Sequence, residues 1–94
     1  MNFKVGDKVK WTSQAGGSTK EKRGTVYAVL TPNANALRQL PVDMRPAQRK
    51  FDTHYTPYVR YIVAVPRGGK SVLTDYYCPR PAALEIDDSA HMEG

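Results

Sequence analysis

Apolar and polar side chains alternate along Val5-Gly6-Asp7-Lys8-Val9-Lys10-Trp11, with Val9 and Trp11 on one face and Lys8, Lys10 and Thr12 on the other. A period of two is the pattern of a strand with one buried face. Gly6-Asp7 ahead of it is turn chemistry, because glycine accepts a positive φ and aspartate caps its own backbone. Ser13 to Glu21, with Gly16-Gly17-Ser18-Thr19 at its centre, has no apolar anchor and reads as a long flexible loop. A second strand is predicted from about Lys22 to Leu30, where Val26, Ala28 and Leu30 alternate with Thr25, Tyr27 and Val29. Gly24 near its start would permit a bulge or a close backbone crossing.

The alternation then stops. Prolines 32, 41, 46 and 57 divide Thr31 to Pro57, and neither a strand nor a long helix runs through them. Asn33 to Leu40 has room for two helical turns, capped by Asn33 and with Leu37 and Leu40 on one side. Connections of this length are either functional or disordered. Tyr58 to Val65 is the strongest strand signal, being almost wholly β-branched or aromatic. Tyr61 shares its face with Val59, Val63 and Val65. Pro66-Arg67-Gly68-Gly69-Lys70 reads as a hairpin turn and Ser71 to Tyr77 as the returning strand. Cys78-Pro79-Arg80-Pro81 ends that strand, since proline cannot donate to the ladder. Ala82-Ala83-Leu84 is one tight turn, Glu85-Ile86 a short closing strand, and residues 87–94 a frayed acidic tail. The fold class expected is all-β.

Composition narrows the class. Ninety-four residues, 40% of them hydrophobic, suit one domain with a modest core. There is no apolar run of the roughly 20 residues a spanning helix needs, and the N-terminus lacks the apolar stretch of a signal peptide. Cys78 is the lone cysteine, so no internal disulfide forms and a reducing, cytoplasmic setting is expected. The net charge of +5 is unevenly spread. All fourteen Lys and Arg fall within residues 1–80, whereas residues 81–94 carry only the acids Glu85, Asp87, Asp88 and Glu93. A basic body invites polyanions or acidic protein surfaces, although net charge also serves solubility alone.

The segment Val5-Gly6-Asp7-Lys8-Val9 followed by Gly24-Thr25-Val26 resembles the opening of Tudor-like and KOW-type barrels, which bind RNA, DNA or protein. It is similar to small bacterial proteins of unassigned function with that fold. The resemblance covers residues 3–30 and 58–86. It implies a five-stranded SH3-like barrel over residues 1–86 with a proline-rich insert, 31–57, between strands two and three. A weaker likeness joins Gly6-Asp7-Lys8-Val9 and Pro81-Ala82-Ala83-Leu84-Glu85-Ile86 to the ends of type II dihydrofolate reductases, also SH3-like barrels. Their pore is lined by a Val-Gln-Ile-Tyr stretch before the final turn. Here that place reads Asp75-Tyr76-Tyr77-Cys78, so the pore chemistry does not carry over and shared architecture explains the match.

Three basic groups are candidate contacts: Lys20, Lys22 and Arg23 beside the first loop, Arg45, Arg49 and Lys50 in the insert, and Arg67 and Lys70 on the hairpin turn. If they meet on one rim beside tyrosines, they form a cationic stacking surface suited to single-stranded nucleic acid. The competing reading is three separate solvated loops. Tyr55, Tyr58, Tyr76 and Tyr77 lie near strand ends as stacking candidates, with Tyr55 and Tyr58 preferred. Trp11, in register with Val9, is expected in the core. Catalysis lacks a basis: His54 and His91 are isolated, no cluster has metal-ligand spacing, and Asp52 with His54 is a turn pair. Gly68-Gly69-Lys70-Ser71 lacks the upstream glycine of a phosphate loop. Cys78 reads as a small buried hydrophobe. The expectation is a non-catalytic module without a cofactor that binds RNA or single-stranded DNA. The alternative is a protein-interaction module or inhibitor, of phage or mobile-element type, whose insert docks on an acidic partner.

Overall fold

Five strands carry the β-forming runs: β1 (Lys8–Ala15), β2 (Ser18–Leu30), β3 (Arg60–Pro66), β4 (Thr74–Tyr77) and β5 (Glu85–Ile86). The computed structural model describes residues 2–15 and 17–88, and in it the strands form one antiparallel sheet in the order β4-β3-β2-β1-β5. Three short 3₁₀ turns, Ala36–Gln39, Pro46–Gln48 and Pro81–Ala83, complete the regular structure, with no α-helix among the described residues. The sheet is open. Its edges, β4 and β5, do not pair with each other, unlike the closed barrel expected from the sequence.

A single irregularity organises the interior. Val26 pairs with Val63 and Ala28 with Ile62, so Tyr27 and Ala28 together oppose one residue of β3. This β-bulge reverses which face the later half of β2 presents. Val26 packs with Val9, Trp11, Tyr61, Val63, Phe3 and Leu84 on one face. Ala28 and Leu30 pack with Ile62 and Tyr76 on the other. Alternation in the sequence therefore continues through residues 26, 28 and 30, all buried, while their destinations differ. On β3, Arg60, Tyr61, Ile62 and Val63 are buried consecutively, as a strand covered on both faces must be.

The expected single core is thus two. The first holds Trp11, expected in the core, together with Val26 and Val63, with Phe3 edge-on to Tyr61 at 5.3 Å and Trp11 edge-on to Tyr77 at 5.6 Å. The second is completed by the insert, whose Ala36 and Leu40 are buried against Leu30 and Ile62, with Leu37, Met44 and Phe51 beside them. Val9, Val26 and Val63 on one side, and Leu30 and Ile62 on the other, are the largest fully buried side chains. Each contributes about 1.5–3 kcal/mol of burial, so neither face dominates.

The insert is ordered by these contacts. Asn35, rather than Asn33, caps the first 3₁₀ turn, its Oδ1 accepting from the Leu37 N–H at 3.0 Å. Asn33 instead adopts φ +65°, a left-handed conformation that asparagine tolerates, and donates its N–H to Thr56 O at 2.7 Å. Further on, the insert covers the β4 edge. Gln48 Nε2 donates to Thr74 O at 2.7 Å, the Lys50 N–H to Tyr76 O at 2.8 Å, and Arg49 bridges Tyr76 in parallel. Covering an edge in this way removes a template for pairing with another chain.

The predicted loop Ser13 to Glu21 is a correction. Ser13↔Lys20, Gln14↔Thr19 and Ala15↔Ser18 are paired, so β1 and β2 rise as a ribbon that reverses tightly, with Gly17 at φ +82°. Cross-strand hydrogen bonds satisfy a ribbon's backbone without any apolar face, which is why hydrophobic periodicity did not reveal it. The other long strands begin later than predicted, β3 at Arg60 rather than Tyr58 and β4 at Thr74 rather than Ser71. Local bonds occupy the chain before each: Thr56 Oγ1 donates to Tyr58 O, and the Leu73 N–H to Ser71 Oγ. The acidic tail also starts later. Asp87 is buried, its N–H donating to Lys8 O at 2.9 Å. The remainder of the tail, residues 89–94 with His91 and Glu93, lies outside the described residues.

Gly24 serves close approach, and the bulge falls at Tyr27. A Cβ at residue 24 would sit 2.5 Å from Ala64 O and 2.7 Å from Val63 Cγ1. Because the nearest atom is backbone and cannot swing aside, Gly24→Ala is expected to destabilise by about 2–3 kcal/mol, read as a lower urea midpoint. Leu40→Ala should cost about 2–4 kcal/mol within a single unfolding transition, because insert and sheet share a core. Separate unfolding of the insert in that variant, followed by both far- and near-ultraviolet circular dichroism, would contradict the shared core.

Candidate anion-binding surface

The first basic group is split by strand geometry. Successive strand residues point to opposite faces, so Lys22 and Arg23 cannot serve one surface. Lys22 lies on the Trp11 side, its Nζ 5.0 Å above the Tyr77 ring. Lys20 follows two residues earlier, exposed on the ribbon. Arg23 points the other way, donating from Nε to Glu21 Oε1 at 2.8 Å and from Nη1 to Asp87 Oδ1 at 3.2 Å. The hydrogen bond to Glu21, then the charges of Asp87 and Glu21, raise its pKa further above the ordinary guanidinium value. Lys10–Glu85 at 3.6 Å and the Lys8 Nζ to Thr25 Oγ1 bond at 2.8 Å continue this outer ladder.

Arg67 is likewise engaged, donating from Nε to Oδ1 of the buried Asp75 at 2.9 Å. Its role is to neutralise a carboxylate inside the hairpin. Lys70 stands exposed at the turn, where Gly68 and Gly69 both adopt positive φ. Arg45, Arg49 and Lys50 are carried by the segment that docks along β4. Among the described residues none of these three has a carboxylate within 4.0 Å, and the same holds for Lys20, Lys22 and Lys70. Tyr55 and Tyr58 are exposed. Tyr76 is not a stacking surface: it is buried edge-on against Tyr27 at 5.1 Å, and burial raises its phenol pKa, with Tyr27 and Asp43 adding to the rise. Tyr77 is committed to Trp11 and Lys22.

Beyond the C-terminal end of β4 lies a feature that the sequence did not announce. Phe51, Thr53, Thr56, Tyr58, Arg60, Cys78, Pro79 and Arg80 line a half-open cavity of about 270 Å³. Arg60 is only 4% exposed. Its Nη1 donates to Thr53 O at 2.9 Å and its Nη2 to His54 O at 3.1 Å, which ties the insert to β3. Its Nε is buried without a hydrogen-bond partner, and no carboxylate among the described residues lies within 4.0 Å of it. Of the residues named from sequence as candidate contacts, only Tyr58 lines this cavity, and Cys78, read there as a small hydrophobe, lies beside it. The available signal was Arg60 itself, an arginine inside a run that is otherwise apolar.

Among the described residues no three His, Cys, Asp or Glu side chains could hold a metal ion, and no helix is long and apolar enough to cross a membrane. The Cys78 thiol is pushed up by burial, and only partly brought back by the charge and hydrogen bond of Arg60 and by the Tyr61 main chain. A thiol whose folded pKa exceeds its unfolded one favours folding below the unfolded pKa, and that contribution is lost as pH rises through the alkaline range. Alkylation of Cys78 by iodoacetamide, followed by mass spectrometry, should therefore be slower in the folded protein and shifted to higher pH than in the urea-unfolded chain. Coincident profiles would show that the thiol is neither buried nor perturbed. Comparison of the chain with protein-family models, curated proteins and solved structures gives no match.

Proposed function

We propose that the chain is a non-catalytic nucleic-acid-binding module of the SH3-like, Tudor-like kind, taking RNA or single-stranded DNA. The antiparallel order of five strands and the 3₁₀ turn before β5 are compatible with that fold. One observation carries the reading: the docked insert sets Arg45, Arg49 and Lys50 along β4, bases without an ion-pair partner among the described residues. Lys70 lies at the hairpin turn, Lys20 and Lys22 on the ribbon, and Tyr55 and Tyr58 offer exposed rings. Backbone charge neutralised by lysine and arginine, with bases stacked on aromatic rings, is how single strands are held without sequence readout. Single strands are preferred over duplex because no α-helix is present among the described residues to enter a major groove.

A second reading rests on apolar exposure. Val42 in the insert and Val72 in the β3–β4 turn are fully exposed, at 105% and 96%. Such residues suit a protein-interaction surface in which the insert meets an acidic partner.

Fluorescence anisotropy with short labelled oligonucleotides separates the two. Binding is expected at low salt, with log K falling against log salt with a slope of about −3, for four to five phosphate contacts on a single strand. Arg49→Glu and Lys50→Glu should each flatten the slope by about 0.7 while leaving the urea midpoint unchanged. Absence of binding at low ionic strength, or a slope indifferent to these substitutions, would rule the nucleic-acid reading out. Capture of a defined protein that is lost in Val42→Glu, together with no oligonucleotide binding, would favour the second.

A further inference from the structure

The three arginines that make defined contacts differ in one respect. Arg23 and Arg67 each face a carboxylate within 3.2 Å, whereas Arg60, the most buried, has two carbonyl oxygens and the Cys78 thiol but no carboxylate among the described residues. A buried cation without a counter-charge is strongly destabilising unless something compensates it. Its Nε is buried and has no hydrogen-bond partner among the described residues. Arg60 lines a cavity together with Arg80, Tyr58, Thr53 and Thr56. Two arginines bring positive charge to it. Among the described residues no acid lines the cavity.

We propose that the Arg60–Arg80 cavity is a binding site for a terminal phosphate group, a phosphate monoester carried either by a small molecule or by the end of a strand. Arginine's planar fork matches phosphate oxygens, and its charge-assisted bonds strengthen where water is excluded. The two guanidinium groups belong to separate stretches of chain, Arg60 to β3 and Arg80 to the segment after β4, and such a pair suits the three terminal oxygens of a phosphate monoester better than the two of a carboxylate. The volume, about 270 Å³, admits a phosphate with a few further atoms and falls below the ~300–1,000 Å³ of sites for drug-sized ligands. Phe51 and Pro79 supply an apolar wall for the ester's carbon side. Arg60 is the anchor, already oriented by Thr53 and His54. Arg80, exposed, is the arm that meets the ligand at the mouth.

Cys78 lines the same cavity and reports on occupancy. Inorganic phosphate and glycerol phosphate should slow alkylation of Cys78 in the intact chain, relative to sodium chloride of equal ionic strength. Arg80→Gln removes a charge-assisted contact from an exposed position. It should raise the phosphate concentration needed for half-protection about tenfold or more, the equivalent of losing a hydrogen bond to a charged group. Arg60→Lys keeps the charge and loses the fork. With its fold verified by circular dichroism, it should lose protection at phosphate concentrations that protect the parent chain. Protection by chloride or acetate equal to that by phosphate, or protection unchanged in Arg80→Gln, would overturn the proposal. Oligonucleotides with and without a 5′-phosphate separate the sources. Protection only by the phosphorylated strand assigns a strand end, and protection by glycerol phosphate a small molecule. Anisotropy with the unphosphorylated strand reads the β4 surface alone, so failure of one site is distinguishable from failure of the other.

Discussion

The double coverage of β3 is the constraint from which the rest of the molecule follows. Tyr61, Ile62 and Val63 are all buried, which demands apolar partners on both faces of the sheet. β1, β5 and the residues around Phe3 and Leu84 supply one face. Nothing else in the strand order can supply the other, and the chain between Leu30 and Arg60 has to do so. The bulge at Tyr27 and Ala28 couples the two, because it turns Ala28 and Leu30 toward the second face just before the chain leaves the sheet.

This explains why a proline-broken segment is ordered without long regular structure. Prolines forbid an extended helix, so each half of the insert settles into a single 3₁₀ turn. Apolar side chains are anchored between those turns, and main-chain and Gln48 bonds fasten the segment to the β4 edge. The same docking that buries Leu40 also sets Arg45, Arg49 and Lys50 beside the sheet. Stability and the proposed recognition surface thus arise from one event, the packing of the insert.

Charge is partitioned along the same lines. The face of β1 and β2 remote from Trp11 is laced with partners for Lys8, Lys10 and Arg23, and Arg67 answers the buried Asp75. Those bases are occupied by the fold. The insert side keeps bases with no ion-pair partner among the described residues, and places the most buried arginine beside a cavity instead of a carboxylate. Position relative to the pleat, rather than proximity in sequence, separates the two populations: Lys22 and Arg23 are neighbours with opposite roles.

By itself the sequence determined the all-β class, the two strongest strands, the burial of Trp11, and the final turn and short strand. Those features depend on local alternation and on proline, which act over a few residues. It did not determine the paired ribbon after Thr12, the second core, the anchoring of Asp87 or the cavity at Arg60. A ribbon is held by main-chain bonds that leave no mark on side-chain pattern. The bulge preserves period two in the chain while exchanging faces in space, so the two cores were indistinguishable along the sequence. The cavity joins side chains from residues 51–60 and 78–80, brought together only when the insert packs on β3 and β4. Burial of a charge is a property of that three-dimensional environment, and only the tertiary structure could decide it.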